Sequence, residues 1–187
     1  MARIRGVVFD KDGTLFDFQA TWGAWCREMI AAESGGDPVR MERLRHWRNR
    51  RYSELLCDQD LVLPGVRETL ERLAGNVAMA IVTSSRRDHF DLIHARSGLL
   101  PYFEFVLCRE DYDEAKPDPE PYRRVLEALD CPGSALAMVD DSPQNLARAR
   151  TFGIFTVWLR SPLALAGGSA GNTVALAGEV GRADGPD

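Results

Sequence analysis

An apolar run leads directly into an acidic turn close to the start of the chain, at residues 7–14, with the sequence VVFDKDGT. Its first three residues are β-branched or aromatic, which is typical of a buried β-strand. Asp10 and Asp12 follow two positions apart, so in extended backbone both carboxylates can point to the same side. The stretch therefore predicts a strand that delivers two acids to a loop, although a solvated acidic turn would have the same sequence.

Four further apolar runs predict the other strands of a sheet, and patterns of helical spacing separate them. The runs cover residues 77–82, 105–107, 135–139 and 154–159, and we expect all of them to be buried. Strands that alternate with helices predict an α/β fold, here a Rossmann-like three-layer core with a mainly parallel sheet covered on both faces. Ligands of such sheets bind beyond the carboxyl ends of the strands, so the polar residues there are the candidates for function.

The segment 18–61 is far longer than an ordinary connection between two strands. It contains two amphipathic patterns, which the sequence SGGDP at 34–38 separates. We therefore expect a small helical cap inserted after the first strand, with residues 1–17 and 62–165 forming the core. The tail, residues 166–187, is rich in Gly and Ala, and we expect it to be partly flexible.

Composition argues against several broad classes of protein. A chain of 187 residues with 45% hydrophobic content has room for one substantial core and a modest insertion. The net charge of -5 argues against a general nucleic-acid binder. The sequence has no apolar run of membrane-spanning length, no pattern of a signal peptide and no CxxC pair among its four cysteines. We expect a cytoplasmic protein with reduced thiols, no nucleic-acid or membrane partner, and a monomeric state by default.

Hydroxyl residues follow the second predicted strand. The side chains and backbone N–H groups of Thr83 and Ser84 are suited to bind phosphate oxygens near the start of the next helix. The alternative is an ordinary helix N-cap by Ser84 or Ser85, since serine is among the commonest capping residues.

A lysine precedes a proline-rich turn before the fourth predicted strand. Lys116 is followed by PDPEP at 117–121, which fixes the backbone and can aim the side chain. The chain has only one other lysine, Lys11, although arginine is abundant. This sparing use favours a role for Lys116, whereas the ordinary alternative is a solvated surface lysine.

Two adjacent acids, Asp140 and Asp141, follow the fourth predicted strand and precede Ser142. Helix capping by Asp141 or Ser142 accounts for one acid at most, and two unpaired acids at a buried strand end are costly. A cation shared with Asp10 and Asp12 accounts for both acidic pairs, and carboxylate oxygens are suited to magnesium.

In chain order, the sequence DKDGT at 10–14, Thr83, Lys116 with its prolines, and DDS at 140–142 resemble the four motifs of the haloacid dehalogenase superfamily. The resemblance spans the chain from Val7 to about Leu159. The helical insertion is similar to the cap of the phosphoglycolate phosphatase and β-phosphoglucomutase type. This family resemblance implies a Rossmann-like phosphohydrolase with Mg²⁺ as its cofactor.

The resemblance also implies roles for individual residues. Asp10 would be the nucleophile that forms an aspartyl-phosphate, and Asp12 would protonate the leaving group and then activate the hydrolytic water. Thr83 and Lys116 would hold phosphoryl oxygens, which agrees with the need of a phosphoryl group for cationic and donor groups.

The same resemblance implies the metal ligands. Asp10, the backbone carbonyl of Asp12, and Asp141 would bind magnesium, with Asp140 assisting. Asn145 departs from the pattern, because many relatives have a further aspartate at this position, and its neutral amide would alter the support of the metal.

The implied substrate is a small phosphate monoester, such as phosphoglycolate, a nucleotide or a sugar phosphate. The sequence DDSPQNL at 140–146 is also similar to the corresponding motif of pyrimidine nucleotidases, so the substrate stays open. A sugar-phosphate mutase would use the same two N-terminal acids. The motifs are also compatible with a non-catalytic binding protein on this fold and with a phosphatase that acts on phosphoproteins.

Arginines crowd the predicted cap between positions 40 and 51. Arginine recognises carboxylate and phosphate groups through two parallel hydrogen bonds, so one or two of them are candidates for substrate contact. The candidates are Arg43, Arg48 and Arg51. A solvated helix face is the competing interpretation, since it is the usual place of a charge run.

Overall fold

The computed structural model describes residues 3–17, 43 and 61–159, and within them a five-stranded parallel sheet. The spatial order is β3-β2-β1-β4-β5. This confirms the predicted α/β fold, and each strand begins and ends within one residue of the predicted run. The strands are β1 (Gly6–Phe9), β2 (Ala78–Val82), β3 (Phe105–Leu107), β4 (Leu136–Asp140) and β5 (Phe155–Trp158).

Helices cover both faces of the sheet. They are α1 (Val66–Leu73), α2 (Arg87–His94), α3 (Pro119–Ala128) and α4 (Pro143–Arg150). Side chains of β1 alternate between the two faces, as a strand requires. Phe9 belongs to one hydrophobic cluster with Leu70 of α1 and Phe90 of α2, whereas Val8 belongs to a second cluster with Tyr122 of α3 and Leu146 of α4. The predicted three-layer arrangement is therefore present.

The predicted burial of the last strand was wrong, and the three residues of β3 are only partly buried. All four residues of β1 are buried, because this strand lies between β2 and β4. In β5, Phe155 is 44% exposed and Trp158 is 41% exposed. β5 has only one neighbouring strand among the described residues, so its apolar side chains lack cover on the outer side.

The sheet order brings the candidate residues to one edge. β1 pairs with β2 on one side and with β4 on the other, and Phe9 is in register with Val139. Asp10 and Asp140 therefore leave the sheet at the same level. The reversal of strand order at β1 opens a crevice at the carboxyl ends, where ligands of α/β proteins bind.

Asp17 and Leu61, which stand at the borders of the predicted cap, lie side by side. The N–H of Asp17 donates to the carbonyl of Leu61 at 3.0 Å, and Phe16 forms an antiparallel bridge with Val62. The expected cap lies outside the described residues except for Arg43 and Leu61, as does the tail, and both expectations stay predictions. Among the described helices, none is long and apolar enough to cross a membrane. The cytoplasmic location also stays a prediction.

Candidate active site

A tight turn after β1 positions both N-terminal acids. The carbonyl of Lys11 accepts hydrogen bonds from the N–H groups of Leu15 and Phe16 at 2.9 and 3.0 Å. Gly13 has a φ of +87°, and a Cβ at this position would collide with the carboxylate of Asp141. Only glycine combines this backbone conformation with the close approach of Asp141.

Lys116 connects two of the candidate acids. Its Nζ donates to Oδ1 of Asp10 at 2.6 Å and to Oδ2 of Asp140 at 3.0 Å. The side chain of Lys116 is only 2% exposed, so this lysine is not a solvated surface residue. Burial alone lowers the pKa of Lys116, but the two carboxylates outweigh burial and raise it, which keeps the ammonium charged.

Asp140 is fully buried and its carboxylate is saturated with donors. Besides Lys116, it accepts from the N–H of Ser142 at 2.8 Å and from the amide of Asn145 at 3.0 and 3.2 Å. Ser142 caps α4 by accepting from the N–H of Asn145, so of the two capping alternatives the structure has the one at Ser142. Asn145 thus supplies a donor where an aspartate would place a second carboxylate against Asp140.

Oxygen atoms of Asp10, Asp140 and Asp141 all lie within 4.8 Å of one another. Burial raises the pKa of Asp10 to about 6, with Lys116 opposing this rise and Asp140 adding to it. Burial and the charge of Asp140 also raise the pKa of Asp141. Burial is the larger cause of both shifts, and the neighbouring carboxylate of Asp140 adds to each. A divalent cation bound by the carboxylate oxygens would stabilise their ionised forms.

The charges of the site do not balance without a cation. The site holds four acids and both lysines of the chain, namely Asp10, Asp12, Asp140, Asp141, Lys11 and Lys116. Counted over the part of the chain that the structure describes, negative charge is in excess when all of these groups are ionised, and a divalent cation would reduce that excess. The donor set therefore fits Mg²⁺ in both chemistry and charge.

The hydroxyl residues that follow β2 do not cap the next helix. Helix α2 begins after Arg86 and has no side-chain cap, so the predicted N-cap by Ser84 or Ser85 was wrong. Thr83 is buried and its hydroxyl accepts from the N–H of Ser85 at 3.1 Å. Ser84 is exposed at the edge that carries Asp10. The hydroxyl of Tyr112 donates to the carbonyl of Thr83 and holds this loop in place.

Two residues that were not among the predicted site residues contact Asp12. The hydroxyl of Ser85 donates to Oδ2 of Asp12 at 2.9 Å, and Nζ of Lys11 pairs with Oδ1. Lys11 is fully buried. In the sequence, the rarity of lysine was the only indication of a role for Lys11. For Ser85 the only indication was its place in a run of three hydroxyl residues.

The model of the haloacid dehalogenase-like hydrolase family matches residues 4–153, which is most of the chain. The chain belongs to this family. The predictions of the family, of an enzyme and of a hydrolase are thereby confirmed. The match contains every strand end at which the structure places a candidate acid, hydroxyl or lysine.

Several relatives of the haloacid dehalogenase type are named for phosphate chemistry. A phosphoglycolate phosphatase of Yersinia pseudotuberculosis is 27% identical over 80% of this chain and 78% of its own length. A phosphorylated carbohydrates phosphatase of Thermotoga maritima is 28% identical over 83% and 84%. A solved Thermotoga maritima structure with a provisional assignment as β-phosphoglucomutase matches with a TM-score of 0.66 at 26% identity, covering 87% and 90%. The predicted subgroup of the family is confirmed.

The structure describes one of the three candidate arginines of the cap. Arg43 is helical and exposed. Arg48 and Arg51 lie outside the described residues, so their contact with substrate stays a prediction.

Proposed function

We propose that the chain is a Mg²⁺-dependent phosphatase that hydrolyses small phosphate monoesters through a phospho-aspartate on Asp10. The observation that carries this proposal is the environment of Asp10. Lys116 neutralises one oxygen of its buried carboxylate at 2.6 Å, and Asp141 stands beside it within reach of a shared cation. Among the described residues, none donates a hydrogen bond to the second oxygen, Oδ2. This oxygen is free to attack phosphorus.

The reaction has two displacement steps at phosphorus. In the first, an oxygen of Asp10 bonds to phosphorus, the bond to the leaving oxygen breaks, and Asp12 gives that oxygen a proton. In the second, water attacks the aspartyl-phosphate and passes its proton to Asp12. The bond to Asp10 breaks, inorganic phosphate leaves, and both side chains return to their first state.

The remaining residues hold charge. Mg²⁺ would be bound by Asp10, Asp141 and the backbone carbonyl of Asp12, and would supply positive charge to the phosphoryl oxygens. Asp140 holds Lys116 in place and is not needed as a direct metal ligand, because its oxygens already accept hydrogen bonds from Lys116, Ser142 and Asn145. Lys116 holds Asp10 and faces the phosphoryl group.

Thr83 and Ser84 complete the phosphate site. They follow β2, which neighbours β1, so the N–H and hydroxyl groups of Ser84 lie at the edge that carries Asp10. The N–H of Thr83 already donates to the carbonyl of Leu107 at 2.9 Å, so Thr83 would contribute through its side chain. The substrate class follows the relatives, whose names refer to phosphoglycolate and to phosphorylated carbohydrates. A small anionic substrate would also suit the arginines that the sequence predicts in the cap.

A sugar-phosphate mutase is the second candidate, because one structural relative has a provisional assignment as β-phosphoglucomutase. The two reactions share the first step and differ in the acceptor of the phosphoryl group, water or a bound sugar. A non-catalytic protein is disfavoured, because the structure brings Asp10, Asp140, Asp141 and Lys116 together.

The test is phosphate release from phosphoglycolate, nucleoside monophosphates and sugar phosphates, with Mg²⁺ and with EDTA. We expect Mg²⁺-dependent release by the wild type and its loss in Asp10→Asn. Asp130→Asn is the matched control, since Asp130 is exposed and lies in a turn at the opposite end of the sheet. Acid quenching should trap a covalent phosphoenzyme in the wild type but not in Asp10→Asn. Release by Asp10→Asn at the wild-type rate would refute the mechanism, and an isomerised sugar phosphate without free phosphate would identify a mutase.

A further inference from the structure

The carboxylate of Asp12 is held at both of its oxygens. Oδ2 accepts from the hydroxyl of Ser85 at 2.9 Å, and Oδ1 pairs with Nζ of Lys11. Ser85 comes from the loop after β2, 73 positions further along the chain. The two anchors therefore reach Asp12 from different parts of the fold and restrict rotation of its side chain.

The burial of Lys11 makes this contact more than a surface ion pair. The side chain of Lys11 is 0% exposed, whereas that of Asp12 is 20% exposed. A buried ammonium without a partner is costly, and Asp12 is the acid to which Lys11 is bonded among the described residues. Lys11 thus approaches Asp12 from the protein interior and leaves the outer side of the carboxylate open.

We infer that Lys11 and Ser85 are positioning residues that hold Asp12 at the leaving oxygen of the substrate. This inference rests on the proposed function. Each carboxylate oxygen has two lone pairs, so one contact at each oxygen leaves a second site for the transferred proton. The proton moves from Asp12 to the leaving oxygen as the phosphorus–oxygen bond breaks, and neither anchor is consumed.

The dependence on the leaving group separates positioning from general structural damage. An alkoxide needs a proton as it leaves, whereas dinitrophenolate is a stable anion and needs none. A misplaced acid therefore slows only the cleavage of the substrate with the alkoxide leaving group. The ratio of the activity lost on the two substrates thus reports the placement of Asp12. The quantity to compare is kcat/KM, which covers the steps up to departure of the leaving group.

The experiment compares Ser85→Ala with the wild type on 2,4-dinitrophenyl phosphate and on one alkyl phosphate. This alkyl phosphate is whichever of phosphoglycolate, the nucleoside 5′-monophosphates and the sugar phosphates the wild type cleaves best. We expect kcat/KM for the alkyl phosphate to fall about 100-fold, which is the usual effect of displacing a catalytic group by about 1 Å. We expect kcat/KM for the dinitrophenyl ester to fall less than about threefold. Ser85→Thr keeps the hydroxyl and should restore most of the alkyl phosphatase activity.

Two serine variants serve as controls. Ser84→Ala changes the neighbouring hydroxyl in the phosphate site and should reduce kcat/KM for both substrates by the same factor. Ser134→Ala removes an exposed hydroxyl at the opposite end of the sheet and should change neither.

Lys11 is tested with Lys11→Met and Lys11→Arg. Lys11→Met should show the same selective loss as Ser85→Ala, and Lys11→Arg should lose less, because it keeps a positive charge. Circular dichroism would reveal whether a substitution at the buried position of Lys11 prevents folding. In that case Ser85→Ala and Ser85→Thr still test the positioning of Asp12.

Equal losses on both substrates in Ser85→Ala, or no loss on either, would overturn the positioning role while leaving the phosphatase proposal intact. A wild type that cleaves neither substrate would refute the proposed function, and the positioning role would fall with it.

Discussion

Replacing Asn145 with aspartate should destabilise the protein in the absence of metal. The amide of Asn145 donates to both oxygens of Asp140, at 3.0 and 3.2 Å. Asn145→Asp keeps the size of the side chain but replaces this donor with a carboxylate. Two carboxylates would then face each other at a position where Asp140 is fully buried.

Two effects contribute to the magnitude. A lost hydrogen bond to a charged group costs about 1.5–3 kcal/mol. Two like charges about 4 Å apart repel by about 4 kcal/mol at an effective dielectric constant near 20. The ammonium of Lys116, which is bonded to Asp140, attracts the new carboxylate and offsets part of this repulsion. We therefore expect a loss of about 3–5 kcal/mol in the free energy of unfolding at pH 8.

The loss should depend on pH with a defined sign. Repulsion raises the pKa of the introduced acid in the folded state above its unfolded value of about 4. The penalty is therefore complete above the raised pKa and disappears as the pH falls towards the unfolded pKa. The destabilisation should be larger at pH 8 than at pH 5.

Urea denaturation in EDTA at both pH values measures this effect. Asn145→Ala is the control, because it removes the donor without adding charge and leaves Lys116 and the N–H of Ser142 bonded to Asp140. We expect the control to lose about 1.5–3 kcal/mol at both pH values. Repulsion between the two carboxylates would be contradicted if Asn145→Asp were no less stable than the control, or if its loss of stability were equal at pH 8 and pH 5.

Two other substitutions test the crowding of charge. Gly13→Ala should cost about 1–2 kcal/mol of stability, because φ is positive there. It should also weaken Mg²⁺ binding at least about tenfold in calorimetry, because the new Cβ displaces the carboxylate of Asp141. Asp10→Asn should stabilise the metal-free protein at pH 8 by up to about 3 kcal/mol, since the pKa of Asp10 is raised from 3.8 to about 6. This gain should vanish near pH 4 in denaturation experiments.

The strands could be predicted from the sequence because their signal is local. β1 carries its pattern within four residues, and its burial follows from a central place in the sheet. The apolar residues of β5 give the same kind of signal, yet Phe155 and Trp158 are exposed. Their exposure depends on which strands lie beside β5, and strand order is a property of the whole chain.

The contacts of Ser85 show the same limit within the site. Serine beside a predicted helix start favours capping, because a cap involves residues only two or three positions apart. In the structure the hydroxyl of Ser85 bonds to Asp12, far away in the sequence. A periodic pattern cannot report such a contact, so Ser84 was predicted as a site residue and Ser85 only as a cap.

The different roles of Asp140 and Asp141 also could not be predicted from the sequence. The pair stood out as two acids at one strand end, but adjacent residues of extended backbone point to opposite sides. Asp140 points inward, where three donors use its oxygens, whereas Asp141 is half-buried beside Gly13. Because its oxygens already accept from three donors, Asp140 mainly holds Lys116 in place. The oxygens that remain for a cation belong mainly to Asp10 and Asp141. One acidic dipeptide thus supports both charges that the proposed phosphoryl transfer requires, the ammonium through Asp140 and the cation through Asp141.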